Sequence, residues 1–140
     1  MIEIDASDAA KVERLPDSGT AIVVLEGICM YLTNRQLNCL LQALGKKYPK
    51  LHILMDVYTE FGAKASKYKN PVNDVGVTEL FGVDDVQTLL KGSNINLKSE
   101  HSFTPEHLVN ELKPSERAFF RVMFSGKLYR KIYRLYELEL

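Results

Sequence analysis

The sequence predicts an α/β domain with a mostly parallel sheet, and three features of the chain support this fold class. Two short apolar runs, AIVVLEG at residues 21–27 and LHILMDV at residues 51–57, are typical of strands that are buried on both faces. A segment with helical spacing separates them, and a strand, a helix and a strand in this order form a β-α-β unit with a right-handed crossover. The alternating tail IYRLYELEL, residues 132–140, predicts a final strand.

Length and composition indicate one ordinary globular domain that spans residues 1–140. Eighteen basic and eighteen acidic residues give zero net charge, which argues against binding to nucleic acid or to an anionic membrane. The two cysteines, Cys29 and Cys39, follow no metal-ligand spacing and are typical of a reducing compartment. The amino terminus has no signal-peptide core, and no apolar run reaches membrane-spanning length. We therefore expect a cytoplasmic protein.

Local signals define the helices between the first two strands and after the second. Thr33 and Gln36 predict a capping box at the start of the first helix, which Pro49 ends. The apolar residues that follow at helical spacing are Leu37, Leu40, Leu41, Leu44 and Tyr48. Residues 59–82 contain several glycines and a proline and predict a long functional loop. Asp84 or Asp85 then caps a short helix, whose inward residues are Val86, Leu89 and Leu90.

The last third of the chain contains a strand and two further helices before the tail. Residues 95–103 alternate in polarity and predict a half-exposed strand. Thr104 as the N-cap and Pro105 as the first helical residue begin a helix that Pro114 interrupts. A further helix is predicted over residues 115–127. Its predicted inward residues are Ala118, Phe119, Val122 and Met123.

Carboxylates mark the ends of both apolar runs: Glu26 follows the first and Asp56 lies near the end of the second. A carboxylate is costly to bury at such a position unless it meets a partner or binds a ligand. Open α/β sheets bind their ligands outside the carboxyl ends of parallel strands. Two interpretations of Glu26 follow, in which it either caps nearby backbone amides or contacts a ligand.

Three stretches of the chain resemble a known enzyme family. They are VVLEGICMYL at residues 23–32, LHILMDVYT at residues 51–59 and LFGVDDVQTLLKGSNINLKSEHSF at residues 80–103. They resemble the carboxyl-terminal half of the leucine carboxyl methyltransferase family, which includes bacterial O-methyltransferases of the polyketide-tailoring type. The resemblance implies a truncated Rossmann-like class I methyltransferase sheet. This sheet would be mostly parallel with an antiparallel C-terminal strand, would carry helices on both faces and would use S-adenosylmethionine.

The resemblance also assigns roles to individual residues. Glu26, with the adjacent Gly27, would contact the methionine part of the cofactor, and Tyr31 would line the reaction pocket as the catalytic candidate. IEIDASD, residues 2–8, resembles the end of the family's third strand, so that Asp5 and Ala6 would meet the adenine. Judged without the resemblance, Tyr31 is a core aromatic residue with its hydroxyl at the surface, and Asp5 is a turn or capping residue.

One departure from the family pattern changes the functional expectation. No G-x-G occurs in the 140 residues, so the glycine-rich cofactor loop and the acidic residue that holds the ribose would lie before Met1. A half-built site should bind S-adenosylmethionine weakly or not at all. The leading function is O-methylation of a small-molecule or protein carboxylate or hydroxyl. The alternative is a non-catalytic remnant that acts as an oligomerisation or interaction module.

Partners follow from the same departure. Without the family's first strand, the apolar run at residues 21–26 would form an unpaired sheet edge, which favours association. We expect a homo-oligomer, or an amino-terminal half supplied from elsewhere. His52, His101 and His107 are too scattered to predict a metal site. The basic stretch at residues 127–134 favours a solvated face over a nucleic-acid interface.

Overall fold

The computed structural model describes residues 2–66, 79–102, 104–124 and 129–140. Four strands form one mixed sheet in the order β1-β2-β4-β3. They are β1 (Ala21–Leu25), β2 (Leu51–Tyr58), β3 (Asn96–His101) and β4 (Tyr133–Glu139). β1 and β2 run parallel, whereas β4 is antiparallel to both of its neighbours, β2 and β3. The α/β class and the final strand are therefore confirmed.

Five helices connect the strands in the described ranges. They are α1 (Asn34–Lys47), α2 (Glu60–Ser66), α3 (Val86–Leu89), α4 (Glu106–Glu111) and α5 (Pro114–Met123). Short 3-10 helices occur at Ala9–Arg14, Cys29–Tyr31 and Tyr129–Lys131. Within these ranges, no helix has the length and apolar character needed to cross a membrane.

α1 begins and ends as its sequence predicts. The Thr33 hydroxyl accepts a hydrogen bond from the Gln36 amide at 3.2 Å, and Gln36 Oε1 accepts one from the Thr33 amide at 2.9 Å. This reciprocal capping box satisfies two amides that the first helical turn leaves unpaired. Tyr48 ends the helix, and its hydroxyl donates to the Pro16 carbonyl at 3.0 Å.

The hydrophobic core lies between one face of the sheet and the helices α1 and α3. Alternate residues of β2 and β4 point into it because successive strand side chains face opposite sides. The most deeply buried residues are Val12, Leu37, Leu41, Leu51, Ile53, Met55, Val57, Tyr136 and Leu138. Val12 of the first 3-10 helix closes the core beside α1.

The opposite face of the sheet is open over β1. Ile22 is 76% exposed, Val24 61% and the neighbouring Leu54 of β2 39%. The prediction that β1 is buried on both faces is therefore wrong. The expectation of helices on both faces is also wrong over this strand, because no described helix covers the open face. β1 is also an edge strand, which pairs only with β2 among the described residues.

The predictions for the starts of α3 and α4 and for the loop at residues 59–82 are only partly correct. Asp85 caps α3 and accepts from the Gln87 amide at 2.9 Å, as one of the two predicted alternatives. α4 has Pro105 as its N-cap, and the Thr104 hydroxyl donates instead to the Phe124 carbonyl at 3.2 Å. Residues 59–82 contain α2, and residues 67–78 of that predicted loop lie outside the described residues.

The apolar side of α5 does not point inward. Phe119 is 61% exposed, Val122 78% and Met123 51%, and Ala118 is exposed as well. α5 begins at Pro114, whose missing N–H costs nothing in the first turn. The four predicted inward residues therefore lie at the surface, and the predicted end of the helix, at Lys127, lies outside the described residues.

Candidate functional site

The carboxyl ends of β1 and β2 lie side by side and bring Glu26, Gly27 and Asp56 together. Leu25, the last residue of β1, pairs with Met55, so the chain leaves β1 next to Asp56. Gly27 has a φ of +67°, a left-handed conformation that glycine adopts without steric cost. A Cβ at this position would meet no atom within 4 Å, so the backbone turn rather than crowding selects glycine.

Asp56 holds this turn with a buried carboxylate. The residue is only 4% exposed, and the Gly27 amide donates to Oδ1 at 2.8 Å and to Oδ2 at 3.0 Å. The Tyr133 hydroxyl of β4 also donates to Oδ2. These donors compensate for the loss of water around the charge. Burial and the hydrogen bond to Asp56 raise the pKa of Tyr133 above its usual value.

The Glu26 side chain does not stabilise this turn. Its side chain is exposed and forms no hydrogen bond or ion pair with any described residue. The alternative in which Glu26 caps nearby amides therefore has no support in the described ranges, because Asp56 caps the Gly27 amide instead. Glu26 remains available for a ligand outside the carboxyl ends of two parallel strands.

Tyr31 follows on the 3-10 helix Cys29–Tyr31 and is 39% exposed. Its amide donates to the Ile28 carbonyl at 3.0 Å, and the Met30 carbonyl accepts from the Phe81 amide at 2.9 Å. The backbone of this segment is thus fixed on both sides. This partial exposure is compatible with an aromatic residue whose hydroxyl lies at the surface, and the role of Tyr31 in a reaction pocket stays a prediction.

Asp5 and Ala6 lie in a structured turn at the amino terminus. Asp5 Oδ1 accepts from the Ser7 amide at 2.9 Å and from the Ser7 hydroxyl at 2.7 Å, and Lys11 lies 3.6 Å from Oδ2. The two hydrogen bonds from Ser7 are the main reason that the pKa of Asp5 is lowered. Ala6 packs against the core. Asp5 therefore fits its predicted role as a turn residue, and its carboxylate is already partnered.

Of the candidate residues, Asp5 alone lines either of two pockets in the described part of the chain. Asp5 lines an open polar pocket of about 550 Å³ together with Lys11 and Arg14, and Glu26 is not among its lining residues. A second pocket of about 260 Å³ lies between α1 and α3 and includes Asp84 and Asp85. Both aspartates there accept hydrogen bonds from backbone amides. In the described part of the chain, no cluster of His, Cys, Asp and Glu side chains could hold a metal ion.

Two further groups near the sheet have strongly shifted pKa values that the sequence did not predict. Burial, with the neighbouring Asp56 charge, raises the pKa of the Cys29 thiol to about 12. Glu137 of β4 lies 2.9 Å from Lys98 and 2.8 Å from His101 Nε2, and these partners lower its pKa to about 2. Ser99 Oγ and Glu137 Oε2 contact the same nitrogen of His101, which is not the arrangement of a nucleophile relay.

Comparison with protein-family models, with curated proteins and with solved structures finds no match to this chain.

Proposed function

We propose that the chain carries the methionine-binding side of an S-adenosylmethionine site in an O-methyltransferase of the leucine carboxyl methyltransferase type. The observation that carries the proposal is the exposed Glu26, which has no partner among the described residues and lies on a fixed turn at the ends of two parallel strands. The parallel pair β1–β2 and the antiparallel last strand agree with the sheet that the sequence resemblance implies.

The side chains at this turn suit the amino-acid end of the cofactor. A free carboxylate such as that of Glu26 pairs well with an ammonium group through a charge-assisted hydrogen bond. When bound, the cofactor supplies an electrophilic sulfonium methyl for transfer to an acceptor oxygen. Tyr31, exposed and held by its backbone, would orient that acceptor. Asp5 suits the adenine less well, because Ser7 and Lys11 already bind its carboxylate.

A ligand titration tests this function. We expect S-adenosylhomocysteine to shift the backbone NMR signals of Glu26, Gly27 and Tyr31 with a dissociation constant of about 1 mM or weaker, equivalent to about −4 kcal/mol. Binding should be weak because the 140 residues contain no G-x-G loop. Glu26→Ala should weaken it by about 1.5–3 kcal/mol, the worth of a hydrogen bond to a charged group.

Glu3→Ala is the matched control, since Glu3 is exposed and has no partner among the described residues. It should leave the titration unchanged. Saturable binding in the low micromolar range would refute the proposal that the chain carries only the methionine-binding side of the site. An unchanged affinity in Glu26→Ala would show that Glu26 does not contact the ligand. The absence of any shift at saturating ligand concentration would refute the proposed function.

The second candidate is a non-catalytic module that associates with another chain. The open apolar face at Ile22 and Val24 and the unpaired edge of β1 favour it. Association without any ligand response would support this function over methylation. For either function we infer a cytoplasmic location, because Cys29 and Cys39 are free thiols.

A further inference from the structure

We propose that Asp56 is a positioning residue whose buried carboxylate, held by Tyr133, fixes the Glu26–Gly27 turn and thereby sets Glu26 for its ligand. The proposal rests on the function proposed above. It adds a specific dependence: the contact between Glu26 and a ligand should depend on two residues that do not touch the ligand.

The first argument is that Glu26 has no side-chain anchor of its own. Its side chain contacts no hydrogen-bonding partner among the described residues, so the backbone of the turn alone sets where its carboxylate lies. Among the described residues, Asp56 is the only one whose side chain binds the Gly27 amide, and it does so through both of its oxygens. A loss of this anchor should let the Glu26 backbone move.

The second argument is that Asp56 is itself fixed from the far side. Tyr133 belongs to β4, which pairs with β2 on the side opposite β1. The ring of Tyr133 packs edge-on against Tyr58 with centroids 5.1 Å apart, and this contact orients its hydroxyl toward Asp56. One carboxylate thus connects the end of β1 to β4 across the intervening strand.

The third argument concerns cost. Asp56 occupies this site with only 4% of its surface exposed, although an uncharged residue there would avoid the desolvation penalty. Its oxygens are all used to bind the Gly27 amide and the Tyr133 hydroxyl, so its contribution is local geometry rather than an ion pair. Such geometry is what a ligand contact on a turn requires.

The test compares the wild type with Asp56→Asn and Tyr133→Phe by ¹⁵N relaxation and by the same titration. In the wild type we expect order parameters of about 0.85 at Glu26 and Gly27, falling below about 0.6 in Asp56→Asn. Affinity for S-adenosylhomocysteine should fall about tenfold or more in Asp56→Asn and less in Tyr133→Phe. Tyr133→Phe retains the ring and also keeps the proposal testable if Asp56→Asn does not fold.

Two controls remove similar hydrogen bonds elsewhere. Asp84→Asn alters a carboxylate that accepts from the Glu60 amide at 2.8 Å, and Tyr48→Phe removes a hydroxyl bonded to Pro16. Neither should change the order parameters at Glu26. Unchanged order parameters in folded Asp56→Asn and Tyr133→Phe would overturn the proposal, as would increased motion with unchanged affinity. If the wild type does not respond to ligand, the proposed function fails. The role of Asp56 toward a ligand then fails with it. The relaxation data still decide whether Asp56 holds the turn.

Discussion

At the scale of single residues, one buried negative charge determines the chemistry around the ends of β1 and β2. Asp56 is compensated by a backbone amide and a hydroxyl, neither of which carries a charge. Its field therefore extends to its neighbours and makes it harder to create a second negative charge there. Burial is the main reason that the pKa values of Tyr133 and Cys29 are raised, and the neighbouring Asp56 raises both further.

This arrangement predicts a large difference in reactivity between the two cysteines. At pH 8 a thiol with a pKa of about 12 is ionised in only about one molecule in 10⁴, and the thiolate is the reactive form. Cys39 is exposed, whereas Cys29 is buried. We expect one thiol per chain to react quickly with an aromatic disulfide reagent, and the second only in urea. Cys39→Ser should abolish the fast phase, and a fast phase that persists in that variant would contradict the assignment.

At the scale of elements, local signals predicted what local contacts determine. The capping box of α1 joins residues three apart, and its structure follows from the residues at its start. The contact between Asp56 and Gly27 joins residues 29 positions apart and depends on strand register, which the sequence does not specify. The sequence marked both carboxylates as strand-end groups but could not determine that Asp56 would be bound and Glu26 free.

The wrong assignments at β1 and α5 have a common cause. An apolar pattern shows which side of an element avoids water, but not whether another element covers that side. Val24 belongs to a continuous apolar run and Val122 follows helical spacing, yet both are exposed. The burial of these residues depends on long-range packing, and no described element provides it.

Two glycines in helices should respond to alanine with opposite signs. A Cβ at Gly62 of α2 would overlap the Ile132 carbonyl group, with 2.9 Å to its carbon, at the start of the segment that leads into β4. Gly62→Ala should destabilise the fold by about 1–3 kcal/mol, the usual cost of overpacking. At Gly45 of α1 the nearest atom, on the flexible Ile95 side chain, lies 3.4 Å away. Gly45→Ala should stabilise by up to about 1 kcal/mol through helix propensity. Urea denaturation measures both, and equal effects would contradict the difference in packing.

At the scale of the whole molecule, the sheet exposes an edge and a face at the same strand. β1 contains no lysine, proline or glycine, the residues that commonly protect sheet edges from pairing. Its backbone faces no described partner on the outer side, and Ile22 and Val24 extend this unpaired edge onto the open face. A zero net charge provides no repulsion between copies.

We therefore expect the chain to form a closed two-fold dimer through β1. Antiparallel pairing about Val23 would place Val24 of one copy opposite Ile22 of the other, and would satisfy the outer amides and carbonyls of both edges. Light scattering should give twice the mass of the 15.9 kDa chain. Val24→Lys should shift the mass to that of one chain, because it places a charge in the centre of the paired edges. Since Val24 is 61% exposed within one chain, this substitution should leave the fold itself intact.

Val122→Lys tests whether the dimer depends on the edge of β1 or on exposed apolar surface in general. Val122 is 78% exposed on α5, so the same exchange of valine for lysine removes surface hydrophobicity away from β1. The dimer should survive in this variant, because the hydrogen bonds of a paired edge do not involve α5. Loss of the dimer in Val122→Lys, with no effect of Val24→Lys, would move the interface to α5. A mass of one chain for the wild type across all concentrations would show that the edge of β1 remains unpaired in solution.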